Sequence, residues 1–464
     1  MNVLSLLLGL AAIFVFGQGA VRRALAGMGN ANLYLVNGLA ILCGLGAWSC
    51  TFSAALFAWG PSPATLMGKD LLLVLLGAAL WPRARREVRF VQLPEVEYAP
   101  WLWRLVPWVF CVGIARVLVR SLRRPDGDWD AWAMWLLRAR CLYRGGSDFA
   151  VAFDSSYTQT QYPLLWPGLV AQSWYTLGWE APLAAPLLAT LLYAGVLAVL
   201  IGTCTALAGR FAGAIAALAL VATRHFNGVP ASLYADLPVA AYVLAASASV
   251  LLAISLADRR PAILAGLFAG FAAWSKNEGM LHALALLSGV MLIGGLTSGQ
   301  RRATLARAGW LLAGSLPIVA LLCYFKWRYG GENDLTEGQT SAHWISRLSD
   351  PHRWLRVAQS FFREAVGFSS WSFFGLAIPI VVAWASFKRR WNAALAPLGA
   401  AAGITLMGFA AVYLLTPHKL EWQIESSLPR LLAQCYPTLL LLTVLLAKRI
   451  FSPTPPAKNA NPES

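Results

Sequence analysis

Residues 101–132 read WLWRLVPWVFCVGIARVLVRSLRRPDGDWDAW, from Trp101 to Trp132. The run 101–122 is apolar and long enough to cross a bilayer, whose hydrocarbon core takes ~20 residues of helix. Directly after it, Asp126, Asp128 and Asp130 stand within five positions of one another. Carboxylates are costly near hydrocarbon, so acids gathered at the mouth of a span are a functional hypothesis by default.

The surrounding chain fits a membrane setting. Its 464 residues are 58% hydrophobic and 12% charged, with a mean hydropathy of +0.59. Apolar runs of spanning length recur without the period-two alternation of a barrel, which predicts an all-α, polytopic transmembrane bundle. The runs are 3–21, 33–59, 66–81, 101–122, 182–208, 211–223, 238–256, 263–274, 281–296, 310–325, 371–387, 393–415 and 431–447, about thirteen spans in all. The formal charge of +16 is local rather than a nucleic-acid footprint. Basic residues gather in alternate short loops: Arg22-Arg23; Arg83, Arg85, Arg86 and Arg89; Arg210; Arg259-Arg260; Arg301, Arg302 and Arg307; Lys388–Arg390; Lys448-Arg449. The positive-inside rule puts these in the cytoplasm, with the N-terminus outside and the C-terminus inside. About sixteen of the 21 acidic residues then fall on the outer side. The seven cysteines are scattered, with no CxxC pair, so neither a disulfide framework nor a zinc site is indicated. No Walker A loop and no Rossmann fingerprint occurs.

Three regions follow: a three-span segment 1–99, a core 100–449, and a disordered cytoplasmic tail 450–464. Residues 131–143 read as an interfacial helix, with Trp132, Trp135, Leu136 and Leu142 toward lipid and Arg138, Arg140 and Arg144 toward headgroups. Residues 162–177 open with two prolines and suit a half-buried helix. Residues 326–370 read as a long polar external loop.

Four constellations carry the chemistry. Asp126, Asp128 and Asp130 can supply a general base, their mutual repulsion favouring proton uptake, or Asp128 and Asp130 can hold a divalent cation such as Mg or Mn. Asp130 is also placed to cap the helix after it. Asp236 precedes Pro238 at the outer start of a span, where an N-cap role competes with a site role. Lys276 and Glu278 interrupt an apolar stretch, either pairing with each other or neutralising a phosphate. His418 and Lys419, followed by Arg430 at the outer end of the last span, suit a lipid-linked phosphate, although arginine at a helix end also snorkels.

The chain resembles the GT-C superfamily of polytopic glycosyltransferases, which includes the dolichyl-phosphate-mannose protein mannosyltransferases and the lipid A aminoarabinose transferases. The resemblance rests on Asp126–Asp130, the helix after it, Asp236-Leu237-Pro238, Tyr162-Pro163-Leu164, residues 274–279 and residues 420–430, in that sidedness. It covers roughly 101–447 and leaves out the first three spans. It is nearest to uncharacterised bacterial members. Where the family commonly has His-Pro-Pro, this chain has Gln161-Tyr162-Pro163.

The resemblance implies an enzyme of the bacterial inner membrane that takes a sugar from a polyprenyl-phosphate carrier at the periplasmic face. It transfers that sugar with inversion to a hydroxyl of a glycan, lipid or protein acceptor. Carried over, Asp130 is the first choice for base and Asp128 the second. Arg430 and Lys276 would hold the donor phosphate, and Asp236 would orient the loop or bind a sugar hydroxyl, with Asp126, Glu278 and His418 as further binding residues. A polymerase or ligase of lipid-linked oligosaccharides is the rival among enzymes. A flippase is the rival among transporters; it calls for two related halves and charges buried in the membrane, and the sequence shows neither.

Overall fold

The computed structural model describes residues 3–26, 28, 31–81, 99–154, 156–157, 159–296, 301–331, 333, 335 and 338–451. Arg83, Arg85, Arg86 and Arg89, and the tail from 452 onward, lie outside the described residues. Every regular element described is helical. In chain order these are α1 (Val3–Ala24), α2 (Leu33–Trp59), α3 (Pro63–Leu80), α4 (Pro100–Leu122), α5 (Leu136–Arg144), α6 (Leu165–Leu177), α7 (Ala184–Ala208), α8 (Arg210–Ala222), α9 (Val229–Ser232), α10 (Asp236–Leu256), α11 (Arg259–Ser275), α12 (Asn277–Leu296), α13 (Arg301–Tyr329), α14 (Ser341–Leu348), α15 (Pro351–Ala365), α16 (Phe368–Phe387), α17 (Ala396–Leu415) and α18 (Leu420–Phe451).

Ten of these are long and apolar enough to cross a membrane: α1–α4, α7, α10, α12, α13, α17 and α18. The sequence reading expects about thirteen. The three others it expects are helices too. However, α8 has 13 residues and α11 has 17, and the apolar part of α16, Phe373–Phe387, is also short. For α8 the reason is visible. The chain after it, from Thr223 to Ala235, folds back into the bundle instead of leaving it, burying Phe226, Asn227, Pro230 and Leu233. Asn227 Nδ2 donates to the terminal carbonyls of α8 at Val221 (2.7 Å) and Thr223 (2.8 Å), and its Oδ1 accepts from the Tyr193 hydroxyl (2.6 Å). Irregular backbone at this depth is tolerable only when buried and satisfied in this way.

One continuous apolar core runs from α1 to α18. The three-span N-terminal segment shares it, since α2 packs on α6 and α7 and α1 touches α11. Small residues make the closest crossings, as they do between helices in lipid.

The short loops at one end are basic: Arg22-Arg23 closing α1, Arg259-Arg260 opening α11, Arg301-Arg302 opening α13, and Lys448-Arg449 near the end of α18. There Arg449 Nε donates to Arg390 O at 2.9 Å, which ties the foot of α18 to the turn before α17. Asp130, Asp236 and Glu278 meet at the other ends of α10, α11 and α18.

Two elements of the outer surface differ from the sequence reading. The segment 131–144 is not a lipid-facing helix. It begins with a single π turn, Ala131–Trp135, and continues as α5, with Trp135, Leu136, Arg138 and Leu142 buried and only Trp132 of the named apolar residues exposed. Its arginine spacing mimics a headgroup-facing stripe, but carbonyls of the following loop draw Arg138 inward. The stretch 326–370 is not a polar loop either. It finishes α13 and then forms α14 and α15, whose Ile345, Leu348, Trp354, Leu355 and Phe362 are exposed at helical spacing. Arg347 donates to Leu415 O (2.8 Å), and Arg353 to Tyr413 O (2.8 Å) and Thr416 O (3.0 Å). These bonds satisfy orphan carbonyls at the end of α17.

Candidate active site

Asp130 reaches the site on a turn that its sequence dictates. Gly127 has φ +72°, a left-handed conformation in which a side chain is strained, and a Cβ there would lie 2.5 Å from Ser232 O. The turn hangs on the buried 223–235 loop: Asp128 N–H donates to Ser232 O (3.1 Å) and Asp130 N–H to the Tyr234 hydroxyl (3.2 Å). Although Asp130 stands at the helix start, its side chain makes no capping bond. It crosses to α18 instead, where Arg430 Nη1 donates to Asp130 Oδ2 at 2.7 Å.

Arg430 is the hub. Its Nε donates to Asp236 Oδ2 at 2.9 Å, and its guanidinium lies over the Tyr234 ring, 4.4 Å from the centroid. Pro429, just before it, has no N–H, and the Pro429 carbonyl is met by His225 Nε2 at 3.2 Å. Asp236 is only 2% exposed and opens α10, where the helix dipole favours a carboxylate. It is not the N-cap, a position taken by Ala235. Its Oδ1 accepts from Gln434 Nε2 (2.6 Å) and Lys276 Nζ (3.1 Å).

Lys276 sits at the apex between α11 and α12. That hairpin closes tightly because residue 279 is glycine; a Cβ there would overlap Ala272 O. Lys276 also pairs with Glu278 Oε1 (2.8 Å) and lies over the Tyr162 ring at 5.6 Å. Beside it, Lys326 Nζ donates to Asn277 Oδ1 (2.9 Å) and Gln161 O (2.5 Å), and Arg138 donates to Gln159 O (2.7 Å) and Tyr162 O (3.0 Å).

Three carboxylates (Asp130, Asp236, Glu278) thus share two cations (Lys276, Arg430), a net charge of minus one. Their exposures assign different roles. Asp236 is sealed and fully engaged. The Asp130 side chain is 31% exposed, and among the described residues nothing binds its Oδ1. Glu278 Oε2 and Gln434 Oε1 are buried acceptors with no hydrogen-bond partner among the described residues. The cluster therefore offers a reachable carboxylate oxygen beside a half-buried counter-charge, Arg430, that the sealed Asp236 holds in place.

Burial shifts two groups at its edge. It raises the Tyr234 phenol, which stays neutral, and pulls the Arg138 guanidinium down to about 10.

The chain matches no family model, no curated protein and no solved structure. What the site can do rests on its own geometry.

The structure brings together Asp130, Asp236, Lys276, Glu278 and Arg430. It leaves out Asp126, Asp128 and His418. Asp126 Oδ1 pairs with Arg140 (3.3 Å) and Asp128 Oδ1 with Arg124 (3.0 Å), Asp126 largely exposed and Asp128 half-buried. The three loop acids thus face three different arginines instead of repelling one another. Asp128 and Asp130 do not converge, and among the described residues no three His, Cys, Asp or Glu side chains gather in a way that could hold a metal ion. His418 packs edge-on against Trp422, 5.7 Å between ring centroids.

Sequence reasoning passes over Gln434 and Tyr234. Gln434 follows Arg430 by one helical turn inside an apolar run, and that isolated amide is the available signal. It also passes over a second buried pair, Lys69 and Asp70, inside α3. These two are in contact, and Trp48 Nε1 donates to Asp70 Oδ1 at 2.9 Å. Charges are therefore buried within a span, contrary to the sequence reading.

Proposed function

We propose that this protein is an inverting glycosyltransferase of the GT-C type. In this reading it moves a sugar from a polyprenyl-phosphate donor to an acceptor hydroxyl at the periplasmic face of a bacterial inner membrane. The observation that carries the reading is the Asp130–Arg430–Asp236 bridge. It puts a reachable carboxylate beside a guanidinium of the kind that suits a phosphate.

In this mechanism the acceptor hydroxyl donates its hydrogen bond to Asp130 Oδ1. Its oxygen attacks the anomeric carbon as the bond from that carbon to the phosphate oxygen breaks. The hydroxyl proton passes to Asp130, and the polyprenyl phosphate leaves as an anion. Arg430 stabilises the charge that develops on the leaving group, a donor aimed in advance at where charge appears. Asp236, with Gln434 and Lys276, keeps Arg430 in position rather than touching substrate. Nothing in the chain beyond this cluster is asked to perform chemistry.

A transporter is the second reading, favoured by the Lys69–Asp70 pair buried in α3. Purified protein in proteoliposomes, supplied with radiolabelled polyprenyl-phosphate sugars and mixed acceptors, separates the two. Label appearing in a glycoside, and lost in Asp130→Asn, supports transfer. Labelled lipid that changes leaflet without losing its sugar supports transport.

A further inference from the structure

Helix α4 carries a feature that the transferase reading does not use. Its outer half presents Arg116 and Arg120, and Arg123 and Arg124 follow directly after its last residue, Leu122, at spacings of three and four residues from Arg120. All four are exposed, as are Ala115 and Val119. The fold supplies little to neutralise them. Asp128 meets Arg124 at 3.0 Å. Arg116 Nη1 donates to Val221 O at 3.3 Å, at the carbonyl end of α8. Arg120 lies against Gly228, where a Cβ would stand 3.3 Å from Arg120 Nη2. The guanidinium groups of Arg120 and Arg123 have no hydrogen-bond or carboxylate partner among the described residues. Like charges one turn apart repel, so an external anion would stabilise this row.

The same stripe continues down the helix as Leu105, Trp108 and Val112, all exposed. A span therefore shows an apolar track leading up to three guanidinium groups.

We infer that this face of α4 binds a phosphate-bearing lipid. Its chain lies on Leu105, Trp108 and Val112, and its phosphate is gripped by Arg116, Arg120 and Arg123. Guanidinium groups suit a phosphate because their paired N–H donors match its oxygens. The ligand is a lipid and not a soluble anion because the apolar track is part of the site and a soluble anion leaves it uncovered. The inference stands without the transferase reading; it needs only that α4 spans the membrane.

The test uses the full chain in an uncharged detergent, titrated with dodecyl phosphate and followed by native mass spectrometry. One dodecyl phosphate should bind ahead of any others, and inorganic phosphate at equal concentration should not displace it. Losing one charge-assisted hydrogen bond should weaken that first event about tenfold, both in R120Q and in R123Q. R123Q is the decisive variant, since Arg120 also packs against the Gly228 loop. Unchanged binding in R123Q overturns the proposal, as does an absence of any preferred first event. Displacement by inorganic phosphate overturns the lipid assignment in favour of a soluble anion.

Discussion

Asp130 and Arg430 are 300 residues apart in the chain and 2.7 Å apart in space. Arg430 also holds Asp236, 194 residues from it, at 2.9 Å. One guanidinium therefore fastens the loop after α4, the start of α10 and the outer third of α18. The arrangement separates two kinds of acid: one that substrate can reach, and one that sets the position of the cation between them.

The reachable acid should dominate turnover. Asp130→Asn keeps the side-chain shape and removes the base, so transfer should fall by about 10²–10⁴-fold, with little change in melting temperature. Asp126→Asn and Asp128→Asn should stay near the parent rate, because those carboxylates face Arg140 and Arg124. Rates measured with a polyprenyl-phosphate sugar decide this. Equal losses across all three variants would show that the loop matters only as a whole.

The sealed acid should dominate stability. Asp236→Ala leaves Lys276 and Arg430 short of a counter-charge at a position that is 2% exposed, a loss of about 3–5 kcal/mol. Thermal unfolding in detergent should show it as a large drop in Tm. If Asp236→Ala melted like the parent, the hub role given to Arg430 would be untenable.

Arg430→Lys keeps the charge but cannot reach Asp130 and Asp236 together from a fork of N–H groups. Turnover should fall by about tenfold or more, as expected for loss of a charge-assisted bond. Substrate KM should rise, since the same group is proposed to hold the donor phosphate. A rate near that of the parent would show that a point charge suffices there.

Burial lowers His225 below its ordinary 6.5. The unfolded chain then takes up this proton before the folded one does. Stability from His225 is therefore complete above about pH 6.5 and declines as pH falls toward the depressed value. His225→Asn should flatten the fall in Tm between about pH 7 and pH 5 relative to the parent. Parallel Tm curves for the two proteins would rule out this contribution.

Topology is open to a direct chemical test. In a chain whose seven cysteines are replaced by serine, Asp126→Cys should react with a membrane-impermeant maleimide added to intact cells. Arg389→Cys should react only after lysis, because it lies in a basic turn at the opposite end. The reverse pattern would place the acidic cluster in the cytoplasm and remove the periplasmic assignment.

Much of the site is legible in the amino-acid sequence. Asp236, Lys276, Glu278 and Arg430 announce themselves because ionisable side chains are scarce in an apolar chain and each interrupts a span or stands at its end. Asp130 cannot be told from Asp126 and Asp128 in this way, because three acids on one turn have the same composition and nearly the same position. Gln434 and Tyr234 stay hidden because an amide and a phenol near a span carry no charge signal. The interfacial reading of 131–143 fails for a related reason. Arginines at helical spacing look the same whether they face headgroups or, like Arg138, the carbonyls of Gln159 and Tyr162.

Sequence by itself determined that this chain is a helical membrane protein, because hydropathy is a local quantity summed along the chain. Only the tertiary structure decided which acid is exposed and which is sealed, and that Arg430 lies between them. Those facts depend on contacts between residues hundreds of positions apart, which no local pattern encodes. The shortness of α8 was decided in the same way, by the folding of 223–235 back into the bundle, where Asn227 closes the helix end.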